Sequence, residues 1–245
     1  MKHKYYLLVI SLAFSMQSYF LIHNFNERNS NYLHPFFLFV LGVEPITQYT
    51  NFLIWFFVFI SISFYFSGII SENINGYGKY MLVRNTQKLK WIMGLYYLTT
   101  IRLFGLVVLQ FTFFILSSFI FTQNLETFPS IIMLVKVVFI YFLTLLFLIF
   151  LQMYLELYTS PQVSLLSVNF YVVLSILLAG VIFLHNQGEL LLYGLIPNFA
   201  MGLRLDVISD ENFIISYPIA LLILGLVVLL ILYFSIRKIE AKDIY

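Results

Sequence analysis

Long apolar runs alternate with short polar segments along this chain. Six runs are about twenty residues or longer and carry few charges: 5–22, 51–70, 91–121, 131–154, 164–185 and 213–236. A helix rises about 1.5 Å per residue and the hydrocarbon core of a bilayer is about 30 Å thick, so each run is long enough to cross it. Apolar and polar positions do not alternate within the runs, as the strands of a membrane barrel would require. The pattern predicts an all-α integral membrane protein with six transmembrane helices.

Composition agrees with this prediction. Of the 245 residues, 62% are hydrophobic and only 10% are charged, whereas a soluble domain carries about a quarter charged residues. The net charge of +2 offers no clustered basic face for nucleic acid. Because cysteine is absent, disulfides, thiolate catalysis and cysteine-ligated metals are excluded. We find no internal repeat and no linker, so residues 1–245 are predicted to form one domain.

The N-terminus resembles a secretory signal only in part. Lys2 and Lys4 precede the first apolar run, but this run is longer than a usual signal-peptide core and no small-x-small cleavage site follows it. The run is therefore predicted to be retained as the first span.

The basic residues of the polar segments indicate the orientation, because lysine and arginine are enriched in cytoplasmic loops. Nine fall on one side of a six-span arrangement and two on the other, Arg28 and Arg204. Both termini are thus predicted to be cytoplasmic, in a multi-pass protein of the cell (plasma) membrane. The nine are Lys2, Lys4, Lys79, Arg84, Lys88, Lys90, Arg237, Lys238 and Lys242.

Two outer segments are apolar but too short to form a pair of spans. They are 35–43 and 190–205, and both are predicted to be re-entrant or interfacial, because backbone exposed to lipid must be satisfied by packing on the bundle. The second contains Pro197, Gly202 and Arg204. It is either an outer gate or cap of a pathway, or an apolar loop packed on the tops of the spans.

Three charges lie in or near the spans, where a charge is a functional candidate because burying it in lipid is costly. Arg102 is deep only if the third span begins near residue 91. If 91–100 lies along the interface, Arg102 reaches the headgroups. Lys136 can extend to the outer surface, and Glu156 is predicted just inside the cytoplasm. We favour the interfacial-anchor interpretation for all three, and the lack of a mid-span carboxylate disfavours an ion- or proton-coupled carrier.

No catalytic or cofactor motif is present in the sequence. The glycine pair before Lys79 lacks the spacing and the following Ser or Thr of a phosphate loop. The four histidines form no pair with zinc-site spacing, and no serine has the Gly-x-Ser-x-Gly setting. We expect no enzymatic activity, cofactor or metal on this chain.

The most informative polar segment is 71–90, predicted to be cytoplasmic. Tyr80, Met81 and Val83 are apolar within a possible short helix, and Lys79 and Arg84 are charged. Such a segment can dock a partner protein, connect two spans, or bind anionic membrane lipids through its basic residues.

From Glu72 to Trp91 the sequence resembles the permease subunits of type-2 ATP-binding-cassette transporters. An acidic residue and glycines lead into Leu82-Val83-Arg84 and then a basic run ending in Lys90-Trp91. The likeness is to small permeases of Gram-positive bacteria that export peptides or give immunity to them. The outer stretch from Pro197 to Gly202 also fits. One departure is the short sequence before the first span, where many relatives have an elbow helix.

This resemblance implies that a separate ATPase subunit, carrying ATP and Mg²⁺, drives a pair of permease chains. The second chain is either another copy or a paralogue. A non-transporting assembly or sensor subunit, or a stand-alone carrier, remains an alternative. The residues implied to contact the ATPase are Glu72, Lys79, Tyr80, Met81, Val83 and Arg84.

Overall fold

The computed structural model describes residues 2–27, 49–74, 76, 88–121, 131–185, 188–207 and 215–241. These described residues contain no β-strand, and one isolated bridge joins Leu205 and Ile215. They also contain two 3₁₀ turns, Ile196–Ala200 and Gly202–Arg204. The prediction of an all-α protein is confirmed. The α-helices are α1 (Lys2–Glu27), α2 (Tyr49–Phe66), α3 (Ile69–Asn73), α4 (Lys88–Phe121), α5 (Ile131–Glu156), α6 (Pro161–His185), α7 (Glu189–Leu192) and α8 (Tyr217–Glu240).

Five helical stretches in the described part are long enough and apolar enough to cross a membrane. They overlap five of the six predicted runs and mark a membrane-embedded protein. The remaining helix, α1, has 26 residues, but its apolar part, Tyr5–Phe20, is shorter, so a sixth span stays a prediction. The five stretches are Phe52–Asn73, Lys88–Ser117, Ile131–Glu156, Pro161–Ile182 and Tyr217–Glu240.

The outer surface of the bundle is apolar. On α8, for example, Leu222, Leu226 and Leu229 are exposed. Soluble proteins rarely leave apolar patches of this extent in water. A bundle with such a surface is suited to lipid, where packing and interhelical hydrogen bonds hold the helices together.

Helix α5 occupies the centre of the bundle. It packs against α4, α6 and α8 and against the 3₁₀ turn Ile196–Ala200, whereas α1 packs against α2 and α4. Every residue of α5 from Thr144 to Phe150 is buried. A helix that is apolar on all sides can be surrounded by protein or by lipid, and α5 is surrounded largely by protein.

The long helix α4 runs antiparallel to α5. Tyr96 stacks edge-to-face with Phe150 at 4.6 Å between ring centroids, and Phe104 does so with Phe142 at 5.8 Å. Within the stretch 91–100, Ile92 and Tyr96 are buried in the core. Helix α4 is one continuous helix of 34 residues, and the position of its stretch 91–100 relative to the membrane interface stays a prediction.

The predicted second span, 51–70, is interrupted. Helix α2 ends at Phe66, and Gly68 adopts a left-handed conformation with φ of 84° before α3 begins. Glycine adopts positive φ without the penalty that a Cβ atom brings. The chain can therefore change direction between α2 and α3 at this position.

The bundle has two ends, which we name by their features. At the Glu156 end, Lys88 of α4 donates a hydrogen bond to the carbonyl of Glu240 at 3.5 Å, so the start of α4 meets the end of α8. The end of α5 and the start of α6 lie there too. The hairpin end holds the segment 188–207, which we call the hairpin.

Candidate functional site

Glu156, the last residue of α5, is buried at the Glu156 end, with 5% of its surface exposed. Its carboxylate oxygens accept hydrogen bonds from the backbone N–H of Gly68 at 2.8 Å and of Ile70 at 3.2 Å. Hydrogen bonds to a charged acceptor are stronger than neutral ones. The carboxylate thus fixes the first turn of α3 to the end of α5.

One turn earlier on α5, Gln152 joins a second polar group. The Ser63 hydroxyl donates to Gln152 Oε1 at 2.7 Å, and Gln152 Nε2 donates to the Ser63 carbonyl at 3.1 Å. Asn169 of α6 donates to the Ser63 hydroxyl at 3.4 Å. These side chains connect α2, α5 and α6, and together with Glu156 they form a polar layer at this end.

The sequence analysis did not predict that Glu156 is buried and hydrogen-bonded to the start of α3. A lone carboxylate directly after an apolar run is usually solvated, and its partners lie 88 and 86 residues away along the chain. The one feature of the sequence that indicated a partner for Glu156 was Gly68, which interrupts an apolar run in which helix formation is otherwise favoured. A break there frees backbone N–H groups that a carboxylate can bind.

The predicted ATPase-contact residues begin in this region. Glu72 lies on α3 and is exposed, next to the turn that Glu156 holds. The other five, Lys79, Tyr80, Met81, Val83 and Arg84, lie outside the described residues.

At the hairpin end, the segment 188–207 packs into the bundle. Asn198 is fully buried, and its amide nitrogen donates to the Ser175 hydroxyl at 2.9 Å and to the Ser175 carbonyl at 3.2 Å. Ser175 lies ten residues before His185, the last residue of α6, which corresponds to about 15 Å along the helix. The hairpin therefore descends well below the end of α6.

The predicted gate residues Pro197, Gly202 and Arg204 are all buried in this hairpin. Arg204, with 4% of its surface exposed, donates a hydrogen bond from its guanidinium to Asn198 Oδ1. Arginine keeps its proton in proteins, so a permanent cation lies beneath the surface of the hairpin. Asn198, which joins this cation to α6, was not singled out from the sequence.

Both ends of the hairpin are hydrogen-bonded to residues at or just before the start of α8. The N–H of Ile215 donates to the carbonyl of Arg204 at 2.8 Å, and the N–H of Tyr217 donates to Asp206 Oδ1 at 3.0 Å. The N–H of Ser216 donates to the Tyr193 hydroxyl at 3.3 Å. The hairpin is thereby fixed to α6 through Asn198 and to α8 through its ends.

The two predicted intramembrane charges are on the bundle surface. Lys136 is exposed near the start of α5, with its ammonium 5.8 Å from the centre of the Tyr217 ring. Arg102 is exposed on α4, six residues past Tyr96, or about 9 Å along the helix. The structure therefore brings neither charge into the polar groups at the two ends.

A third polar group lies between these ends. Gln110 of α4 donates to Gln17 Oε1 at 3.1 Å and accepts a hydrogen bond from the Tyr141 hydroxyl at 3.1 Å. All three side chains are buried. Such bonds connect helices in an apolar surrounding, and they join α1, α4 and α5.

An open groove of about 430 Å³ lies between α4 and α5. Its walls are apolar, and they include Phe104, Phe111, Val138 and Phe142. The three polar groups thus lie between helices, where they hold the helices in position, whereas the groove offers an apolar surface.

These features define a class: a membrane-embedded helical bundle with a buried polar layer at one end and a packed hairpin at the other. A family model described as "Protein of unknown function (DUF2705)" matches residues 6–245, and the chain belongs to this family. The chain is similar to "Uncharacterized protein YybK" of Bacillus subtilis (strain 168), with 33% identity over 193 residues, 77% of this chain and 75% of the relative. No solved structure matches it.

Proposed function

We propose that this chain is the membrane-spanning permease subunit of an ATP-binding-cassette transporter. It exports a peptide or another amphipathic cargo, or gives immunity to it. In this proposal α1 is a sixth span, both termini are cytoplasmic, and the protein is a multi-pass protein of the cell membrane. A separate ATPase subunit with ATP and Mg²⁺ supplies the work, and a second copy or a paralogue completes the pathway.

The observation that carries the proposal is the attachment of the segment 71–90 at its start. Glu156 holds the first turn of α3, where this segment begins, against the central helix. A flexible connection between two spans needs no buried carboxylate, and the desolvation of a carboxylate costs free energy unless it is well paired. A segment that transmits force to the bundle does need a firm attachment.

The distribution of charge supports the proposed orientation. Lys88, Lys90, Arg237 and Lys238 all lie near the Glu156 end, which is the end expected in the cytoplasm from the enrichment of basic residues there. The segment 71–90 then faces the compartment that contains ATP.

The hairpin supports the proposal from the opposite end. Its apolar residues Ile196, Phe199 and Ala200 are buried against the bundle. Arg204 is bonded to Asn198 within the hairpin, and Asn198 is bonded to Ser175 of α6. A segment packed in this way can close the outer end of a pathway and still separate from the spans as a unit. This is the role that we assign to Pro197, Gly202 and Arg204.

Purification tests the proposal. The chain is tagged at its C-terminus, extracted from membranes of its own host in mild detergent, and analysed for bound proteins and for MgATP hydrolysis. We expect an ATP-binding-cassette ATPase in stoichiometric amount and vanadate-sensitive hydrolysis. A second membrane protein of unrelated family, tagged and extracted in the same way, is the control.

Recovery of the chain without any nucleotide-binding partner would contradict the proposal. That result would favour a non-transporting assembly or sensor subunit. An ATPase that co-purifies equally with the unrelated control protein would count against it as well.

A further inference from the structure

The start of the segment 71–90 has two attachments to α5 in the structure. One is polar, through the carboxylate of Glu156 to the N–H groups of Gly68 and Ile70. The other is apolar, since the side chain of Ile70 is fully buried in the core, where α3 packs against α5. Both attachments lie within one turn of helix.

The helix is broken between α2 and α3. Two residues, Ser67 and Gly68, separate the helices, and the left-handed conformation of Gly68 interrupts the helical hydrogen-bond ladder. Helix–helix movements are absorbed at a few such positions between elements. A displacement of α3 therefore acts on the end of α5 more directly than on α2.

Helix α5 reaches from this attachment to the hairpin. It has 26 residues, or about 39 Å, and its other neighbours include the 3₁₀ turn Ile196–Ala200. Glu156 is at one end of this continuous helix, and the buried face of the hairpin lies against its side.

We propose that Glu156 is a positioning residue that transmits movement of α3 to α5, and through α5 to the hairpin at the opposite end. This inference rests on the proposed function. It assigns to one buried carboxylate the mechanical connection between the ATPase side and the outer closure. Loss of that connection uncouples the two ends while each end keeps its own fold.

The first experiment uses the chain alone and needs no ATPase. Since the protein has no cysteine, a single thiol is introduced as I70C, and its reaction with a maleimide is timed in inside-out membrane vesicles. In the background of Glu156→Gln, one acceptor oxygen is replaced by an N–H₂ donor facing backbone donors. We expect labelling of I70C to accelerate at least tenfold, and Glu156→Asp to restore part of the protection.

The second experiment uses the complex with its co-purified ATPase. The thiol is M201C, at a hairpin position that is fully buried, and labelling is compared with and without MgATP and vanadate. We expect nucleotide to change the labelling rate of M201C at least fivefold with Glu156 present and less than twofold with Glu156→Gln. Without nucleotide, Glu156→Gln should leave the rate unchanged, which a general loss of structure would not.

Glu240→Gln is the matched control. It removes the same charge from an exposed position at the same end of the bundle, and it should leave both thiols at their original rates. Unchanged labelling of I70C in Glu156→Gln overturns the inference, as does a preserved nucleotide response of M201C in that variant. If M201C ignores nucleotide even with Glu156 present, the ATPase does not move the hairpin and the inference fails, whereas failure of the proposed function would show earlier, as the absence of an ATPase from the purified protein.

Discussion

Replacement of Asn198 by alanine should release the hairpin from the bundle. Asn198 is fully buried. Its amide nitrogen donates to Ser175 and to the carbonyl of Leu195, and its Oδ1 accepts from Arg204. Alanine removes all of these bonds and leaves a small void. The bonds to Ser175 connect the hairpin to α6, so their loss acts on the docking of the hairpin.

The expected magnitude follows from these bonds. A primary amide has two N–H donors, and each neutral bond contributes about 1 kcal/mol. The bonds of Asn198 to Leu195 and Arg204 lie within the hairpin and do not break when it opens. Interhelical hydrogen bonds in membrane proteins average about 0.6 kcal/mol, which favours a somewhat smaller value. The two bonds to Ser175 are the ones that opening breaks, so we expect the free energy of opening to fall by about 1.4 kcal/mol, which is tenfold in the equilibrium constant.

Cysteine labelling measures this opening directly. Met201 is three residues after Asn198, and it is fully buried. In purified protein, a thiol introduced as M201C reacts only when the hairpin opens. Asn198→Ala should accelerate this reaction about tenfold. The matched control is Asn169→Ala, which removes a buried asparagine of α6 that bonds to Ser63 and not to the hairpin.

The reasoning would be refuted by a labelling rate in Asn198→Ala within threefold of that with Asn198 intact. It would be refuted equally if Asn169→Ala accelerated the reaction as much, because the effect would then report a loosened bundle and not the bonds of Asn198.

Three further predictions concern the other end and the topology. Gly68→Ala should lower the free energy of unfolding by about 1–2 kcal/mol because of its positive φ, whereas Gly225→Ala, in a helix and facing open space, should be neutral or stabilising by up to about 1 kcal/mol. Thermal unfolding of the two variants measures this, and equal midpoints would contradict it. Truncation of both Tyr80 and Met81 to alanine should abolish pull-down of the ATPase, since apolar anchors dominate interfaces, and unchanged pull-down would exclude the docked helix. Single cysteines introduced at Asn75, Thr86 and Lys242 should resist a membrane-impermeant thiol reagent in intact cells, whereas those at Asn29, Asn124 and Asp210 should react. External labelling at Asn75, Thr86 or Lys242 would refute the orientation.

The long helices could be predicted from the sequence because their cause is local. An apolar run in lipid must satisfy its own backbone hydrogen bonds, and a helix is the only open structure that does so. The same reasoning marked 190–205 as a packed segment, because its apolar residues are too few for two spans. It counted Arg204 among the basic residues of the outer segments and gave no sign that its side chain is buried beside Asn198.

The polar connections could not be predicted because their cause lies far away in the chain. Glu156 meets Gly68, and Asn198 meets Ser175, only after the helices have packed. In each case the single residue has an ordinary local explanation: a solvated carboxylate after a helix, or a turn-forming asparagine after a proline. What changes the interpretation is the fixed position of a second helix, which no periodicity within one run encodes.

The polar residues of α5 indicate how this bundle would move. Tyr141 bonds to Gln110 of α4, Gln152 to Ser63 of α2, and Glu156 to the start of α3. Lipid gives no hydrophobic drive for helices to associate, so such bonds and close packing decide which helices stay together. A shift of α5 along its axis would strain all three contacts at once. A movement in which neighbouring helices follow α5 preserves them. Separation of the hairpin breaks its bonds to α6 and to the start of α8 and none of these three. Opening of the hairpin end is therefore expected to leave the bonds around Tyr141 and Gln152 intact.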